Sequence, residues 1–146
     1  MAVIGLDRLK RRMTQTIPAH VEKATVAAME QSAEEIVAMM KRLVPVDSGA
    51  LRDSIGWPWG QAPNGAMVLG KSKAAGGTGR KVITIYAGTR DKKLGDLDAF
   101  YVRFVEFGTH KMTAQPFFFP SYRALRKRAR GRITRQMRKA IRDGAK

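Results

Sequence analysis

The side chains able to do chemistry are few: two histidines, His20 and His110, five serines, and Glu106, a lone carboxylate inside an aromatic run. A metal site needs several clustered ligands, and neither a His-x-x-x-His pair nor a carboxylate cluster is present. No metal and no cofactor is therefore expected. None of the serines stands in a Gly-x-Ser-x-Gly elbow. Asp47-Ser48-Gly49 reads instead as a turn in which Asp47 or Ser48 caps backbone N–H groups. Gly76-Gly77-Thr78-Gly79-Arg80-Lys81 superficially suggests phosphate binding, but it lacks the Gly-x-x-x-x-Gly-Lys-Ser/Thr spacing and precedes a strand. Glu106, if buried, needs a partner, and Arg103 and Lys111 are close in sequence, so a structural ion pair or an interface contact is the expected role. Without cysteine the chain has no disulfide, no thiolate nucleophile and no cysteine-ligated zinc. The expectation is a protein that is not an enzyme.

Charge is the dominant compositional feature. Lys and Arg number 28 against 12 Asp and Glu, a formal net charge of +16 over 146 residues. Such an excess favours a polyanionic partner, without base specificity. It is densest in residues 121–142, where Arg123, Arg126, Lys127, Arg128, Arg130, Arg132, Arg135, Arg138, Lys139 and Arg142 surround an apolar stripe of Tyr122, Leu125, Ala129, Ile133, Met137, Ala140 and Ile141 at helical spacing. A second basic set, Lys71, Lys73, Arg80 and Lys81, lies in a glycine-rich stretch that reads as a loose loop over 71–81. Phe117, Phe118, Phe119 and Tyr122 could stack on bases; bracketed by Pro116 and Pro120, the three phenylalanines also suit a core or subunit interface.

These residues need a scaffold, and its elements can be read from periodicity. A short helix is expected near residues 2–13. Thr16-Ile17-Pro18 suits a new helix start with Thr16 as cap, a single kinked helix being the alternative. Residues 19–43 recur apolar at steps of three and four, a helix ended by Pro45. Residues 51–55 fit either a strand or a helical turn. Residues 66–69 read as a short strand and 82–87 as the best strand of the chain. Residues 99–107 fit a short buried helix or a strand, 117–119 an extended segment, and 121–142 a final helix. The order predicts an α+β fold: a small antiparallel sheet packed by a long N-terminal helix and a basic C-terminal helix, in one domain spanning residues 1–146.

Two segments carry a family resemblance. Pro45-Val46-Asp47-Ser48-Gly49-Ala50-Leu51-Arg52-Asp53-Ser54-Ile55 resembles the P-x-D-T/S-G-x-L-R-x-S-I signature of a tailed-phage head–tail joining family, also described as neck or tail-component proteins. Tyr101 to Thr109, with Glu106-Phe107-Gly108-Thr109, followed by Gln115-Pro116-Phe117 and Pro120, resembles that family's second signature, Y-A-x-x-x-E-F-G-T … Q-P-F-x-x-P. The likeness spans about residues 17–143. It departs from the pattern in a longer insert at 57–64, a longer glycine-rich loop and an unusually basic last helix.

The resemblance implies a structural virion protein, a homo-oligomeric ring subunit of the neck of a siphophage-type phage, prophage or gene-transfer particle. Its implied partners are other copies of itself, the neighbouring head-closure and tail-terminator proteins, and double-stranded DNA passing non-specifically through the lumen. Its implied location is the particle, and the host cytoplasm before assembly. Pro45, Asp47, Ser48, Gly49, Leu51, Arg52, Ser54, Glu106, Phe107, Gly108, Thr109, Pro116, Phe117 and Pro120 would be the structural motif residues. Lys71, Lys73, Arg80, Lys81, Arg123, Arg126, Lys127, Arg130, Arg135 and Arg138 are the candidates for facing DNA or a ring neighbour. Two other classes fit the charge: a small nucleic-acid-binding module, and a ribonuclease-toxin-like enzyme in which Tyr86, Arg103 and His110 would be cast as the catalytic set. No membrane span or signal segment is expected, since no apolar run reaches the necessary length.

Overall fold

The computed structural model describes residues 5–69, 81–89 and 101–145. The expectations for Lys71, Lys73, Arg80 and most of the 71–81 loop, and for the start of the 99–107 segment, lie outside the described residues. The elements in order are α1 (Leu6–Arg11), a π-helical turn (Arg12–Thr16), α2 (Ile17–Leu43), α3 (Ala50–Asp53), β1 (Met67–Val68), β2 (Tyr86–Ala87), α4 (Val102–Phe107) and α5 (Phe118–Ala145). The fold is α+β and mostly helical, with two long helices and a two-stranded antiparallel sheet. The chain divides into a helical unit, residues 1–32 with 127–146, and a mixed unit, residues 33–126.

In the helical unit the entry to α2 is continuous. Instead of a cap at Thr16, the chain widens into a π turn closed by Ile17 N–H donating to the Arg12 carbonyl. Pro18 gives the reason. Its ring crowds the carbonyl four residues back and it has no N–H to offer, and a wider turn relieves both defects. The kinked-helix alternative is thus the one realised. Within this unit α2 and α5 run antiparallel. A Cβ on Gly144 would lie 3.2 Å from Ile17 Cγ1, and Arg132 Nη1 donates to Ser32 Oγ at 3.1 Å. Ser32 is buried and also donates to the Ala28 carbonyl at 2.7 Å, so this polar break in the apolar stripe is fully hydrogen-bonded.

In the mixed unit the core gathers Ile36, Val37, Met40 and Val44 of the last turns of α2 and its exit, Leu51 and Ile55 around α3, Met67, Ile85 and Ala87 at the sheet, Val102 and Val105 of α4, and Phe117 and Phe118. Residues 51–55 take the helical option. The 82–87 segment forms less ladder than its alternation predicts: Met67 pairs with Ala87 and Val68 with Tyr86, and beyond that come isolated bridges, Gly56 with Tyr86 and Trp59 with Ile83. Pro58 explains the interruption. Its carbonyl accepts from Thr84 N–H at 3.2 Å, but it has no N–H to return. The expected extended segment 117–119 is corrected: α5 already begins at Phe118, with Pro120 in its first turn, where a missing N–H is tolerated. The helix also runs on to Ala145 and so takes in Asp143.

Candidate functional site

The second motif builds a helix clamp. Glu106 on α4 is 3% exposed, and its carboxylate accepts from the first backbone donors of α5: Phe117 N–H at 2.8 Å and Phe118 N–H at 2.9 Å on Oε2, and Phe119 N–H at 3.0 Å on Oε1. A helix start leaves its first N–H groups without intrahelical partners and carries partial positive charge. A carboxylate supplied from another element answers both. The partner of Glu106 is therefore the α5 backbone, in place of the Arg103 or Lys111 expected from proximity in sequence. Ser121 Oγ, buried in the first turns of α5, donates back to the Phe117 carbonyl.

Gly108 makes the clamp possible. It ends α4 at φ +75 and ψ 177, a conformation open essentially to glycine. A Cβ there would also sit 2.8 Å from Ala114 N and 2.9 Å from the Met112 carbonyl oxygen. That space holds a turn in which Thr109 N–H donates to the Met112 carbonyl at 2.8 Å, after which Gln115 N–H returns to the Val105 carbonyl at 2.8 Å. The chain is thereby folded back so that Phe117 arrives over Glu106. His110 is exposed in this turn, Thr109 and Pro116 are exposed, and Pro120 is half-buried.

The first motif is a second scaffold. Pro45 follows the last helical bond of α2, Val44 N–H to the Met40 carbonyl at 2.9 Å. Gly49 takes φ +86 to start α3, and Leu51 is buried. The capping role expected of Asp47 or Ser48 is weak: Ser48 Oγ meets Ala50 N–H only at 3.4 Å, and both side chains are exposed. Ser54, 4% exposed, does more than its position suggests. Its Oγ donates to the Leu51 carbonyl at 2.7 Å and accepts from Gly88 N–H at 3.1 Å, tying α3 to the chain leaving β2. Arg52 is exposed and, among the described residues, pairs with its neighbour Asp53 at 3.5 Å, a contact of little energetic weight.

Between the two motifs lies an apolar groove of about 480 Å3. Val46, Leu51, Phe104, Val105 and Met112 line it, and Asp47 is its one charged residue among those described. The face of α4 is the reverse of the expected buried helix of aromatics. Val102, Val105 and Glu106 turn inward, while Phe104 and Phe107 are 48% and 65% exposed. Sequence reasoning missed this groove, although Phe104 and Phe107 three apart, on the side of the helix away from Val102, Val105 and Glu106, carried the signal.

The basic candidates Lys81, Arg123, Arg126, Lys127, Arg130, Arg135 and Arg138 are all exposed. Charge is unevenly shared between the units. The described residues of the helical unit carry thirteen Lys and Arg against four Asp and Glu, and those of the mixed unit eight against five. Of the residues cast for ribonuclease chemistry, Tyr86 lays its ring over Gly56, where a Cβ would meet its Oη at 3.0 Å, while Arg103 and His110 are exposed. Among the described residues no helix is long and apolar enough to cross a membrane.

No curated protein and no solved structure matches the chain. A family model described as "Bacteriophage HK97-gp10, putative tail-component" matches residues 7–108. The match takes in the π turn, all of α2, the first motif, the sheet and α4 through Gly108; α5 and its basic face follow it. On these grounds the chain belongs to the HK97-gp10-like family of bacteriophage tail components, structural proteins of the virion.

Proposed function

We propose that this tail component is a ring-forming subunit of the head–tail connector, in the neck or tail-completion layer of a tailed phage or phage-like gene-transfer particle. The observation that carries the reading is the use to which the motif residues are put. Ser54, Glu106, Gly108 and Phe117 are spent on fixing backbone and helix ends, and the surface they frame is an apolar groove beside two exposed phenylalanines. An exposed apolar face with polar residues among its lining suits a contact with another protein. A heterologous contact repeated around an axis makes a ring when the rotation between neighbours closes. The partners follow: other copies of the chain, the head-closure and tail-terminator proteins on either side, and double-stranded DNA in the lumen. The basic helical unit meets that DNA through phosphates, which needs no base readout.

Electron microscopy of a lysate from a producing strain lacking the gene tests this. Filled heads beside separate tails are expected. Intact tailed particles would remove the chain from the junction and favour a nucleic-acid-binding or ribonuclease role.

A further inference from the structure

The segment from Leu6 to Thr16 is helical, yet buries nothing. None of its residues is buried, and Leu6, Leu9 and Met13 are 57%, 55% and 63% exposed. Their spacing of three and four puts them on one face, with Arg8, Lys10, Arg11 and Arg12 around them. The segment runs on through the π turn into α2, which holds its backbone helical, but its apolar face stands in water and gains free energy by being covered. The mixed unit offers a surface of matching character, the groove lined by Val46, Phe104 and Met112. That groove matches the segment in charge as well. In a chain of net charge +16, its one charged lining residue among those described is acidic, Asp47, whereas the segment has four basic residues and one acid.

We infer that the N-terminal helix of each copy docks in the Val46–Phe104–Met112 groove of the next copy, with Leu6, Leu9 and Met13 as anchors and the basic residues beside Asp47. The inference rests on the ring reading and specifies its contact. The contact is heterologous: one surface of the chain meets a different surface of its neighbour, so it propagates around an axis and forms a ring when the rotation between neighbours closes. The exposed apolar residues of both surfaces are then covered by one interaction.

The absence of cysteine allows a clean test. The strain lacking the gene is complemented with the full chain carrying Leu9→Cys and Met112→Cys, and with a second pair, Met13→Cys and Val46→Cys. Purified particles are oxidised with copper phenanthroline and run on a non-reducing gel. All four positions are exposed, so the substitutions leave the core intact. A disulfide requires Cα atoms within about 7 Å, so a ladder of multimers from either double variant, absent from every single variant, is expected. Particles that contain both double variants but give only monomers would overturn the docking and leave the ring reading standing. A cross-linked monomer would do the same, by showing the groove filled from within its own chain, and dimers from Leu9→Cys alone would show the helices pairing with each other. Particles that are tailed and infectious without the protein would remove the ring reading and the docking together.

Leu9→Glu is the complementary variant, with incorporation into particles expected to fall at least tenfold. A membrane-binding role for the same basic amphipathic face predicts the opposite pattern: normal incorporation of Leu9→Glu, with flotation on phosphatidylglycerol vesicles lost.

Discussion

At the scale of single residues, Glu106 and Gly108 hold the mixed unit in its geometry, and their energetic roles separate by substitution. Glu106→Ala strands three N–H groups, two of them on buried residues, and leaves a void where the carboxylate stood. Each stranded buried donor costs roughly 1–3 kcal/mol, so a loss of about 3–5 kcal/mol is expected. Glu106→Gln keeps one oxygen, which can continue to serve Phe117 and Phe118, and turns its amide donor against Phe119 N–H; a loss of about 1–2 kcal/mol is expected. Urea denaturation at constant slope measures both, and an alanine variant within 0.5 kcal/mol of the parent would sink the clamp argument. A pair of glycines makes a second comparison. Gly108→Ala meets both a disfavoured backbone and a collision with Ala114 N, and should cost about 3 kcal/mol. Gly49 has positive φ as well, but its nearest neighbour would be Asp53 Oδ2 at 3.9 Å, so Gly49→Ala should cost only about 1 kcal/mol. Equal losses in the two midpoints would mean that crowding at Gly108 is unimportant. The carboxylate was legible as a residue in need of a partner. The partner was not, because it is backbone eleven to thirteen residues away, reachable only after Gly108 has folded the chain back.

At the scale of elements, periodicity carried the long helices and failed at their ends. The stripes of α2 and α5 repeat often enough to reveal their period, whereas Phe117-Phe118-Phe119 between two prolines has no period and reads as extended. A proline in the first turn and a cap donated from α4 make it a helix start instead. Two segments that fit either helix or strand are helical where described, α3 (Ala50–Asp53) and α4 (Val102–Phe107), and contacts distant in sequence hold them: Ser54 to Gly88 for the first, and the Glu106 clamp for the second. Gly131 tests what holds α5. It lies within the helix, and an added Cβ would meet only Arg135 Nη1 at 3.1 Å, the free end of a long exposed side chain. Replacing a glycine at a helical position with alanine lowers the entropy of the unfolded chain. Gly131→Ala should therefore raise stability by about 0.5–1 kcal/mol, read as a higher urea midpoint. A lower midpoint would mean that a close neighbour occupies that face of α5.

At the scale of the whole molecule, the two proposed partners, duplex DNA and further copies of the chain, would respond to salt in opposite directions. The described helical unit carries thirteen basic residues against four acidic ones, so it attracts phosphate and, in an assembly, repels its own copies. DNA binding releases condensed counterions and weakens steeply with added salt, with a slope of about −0.9 per phosphate contacted. The proposed contact between copies through Leu6, Leu9, Met13 and the apolar groove would gain from area removed from water, which salt does not weaken, while the repulsion between chains of charge +16 is screened beyond a Debye length of roughly 10 Å at 0.1 M. Raising salt from 50 to 500 mM should thus release the protein from mixed-sequence duplex DNA and at the same time favour its self-association. Fluorescence anisotropy and sedimentation velocity on one preparation measure the two responses. Arg130, Arg135 and Arg138 are exposed on α5, outside the segment that matches the family. Changing all three to Glu should flatten the salt slope for DNA by about 2–3, and it should leave the association between copies intact or strengthen it. If the triple variant lost both activities together, α5 would be part of the subunit contact, and the division of labour between an apolar docking surface and a basic DNA-facing helix would be wrong.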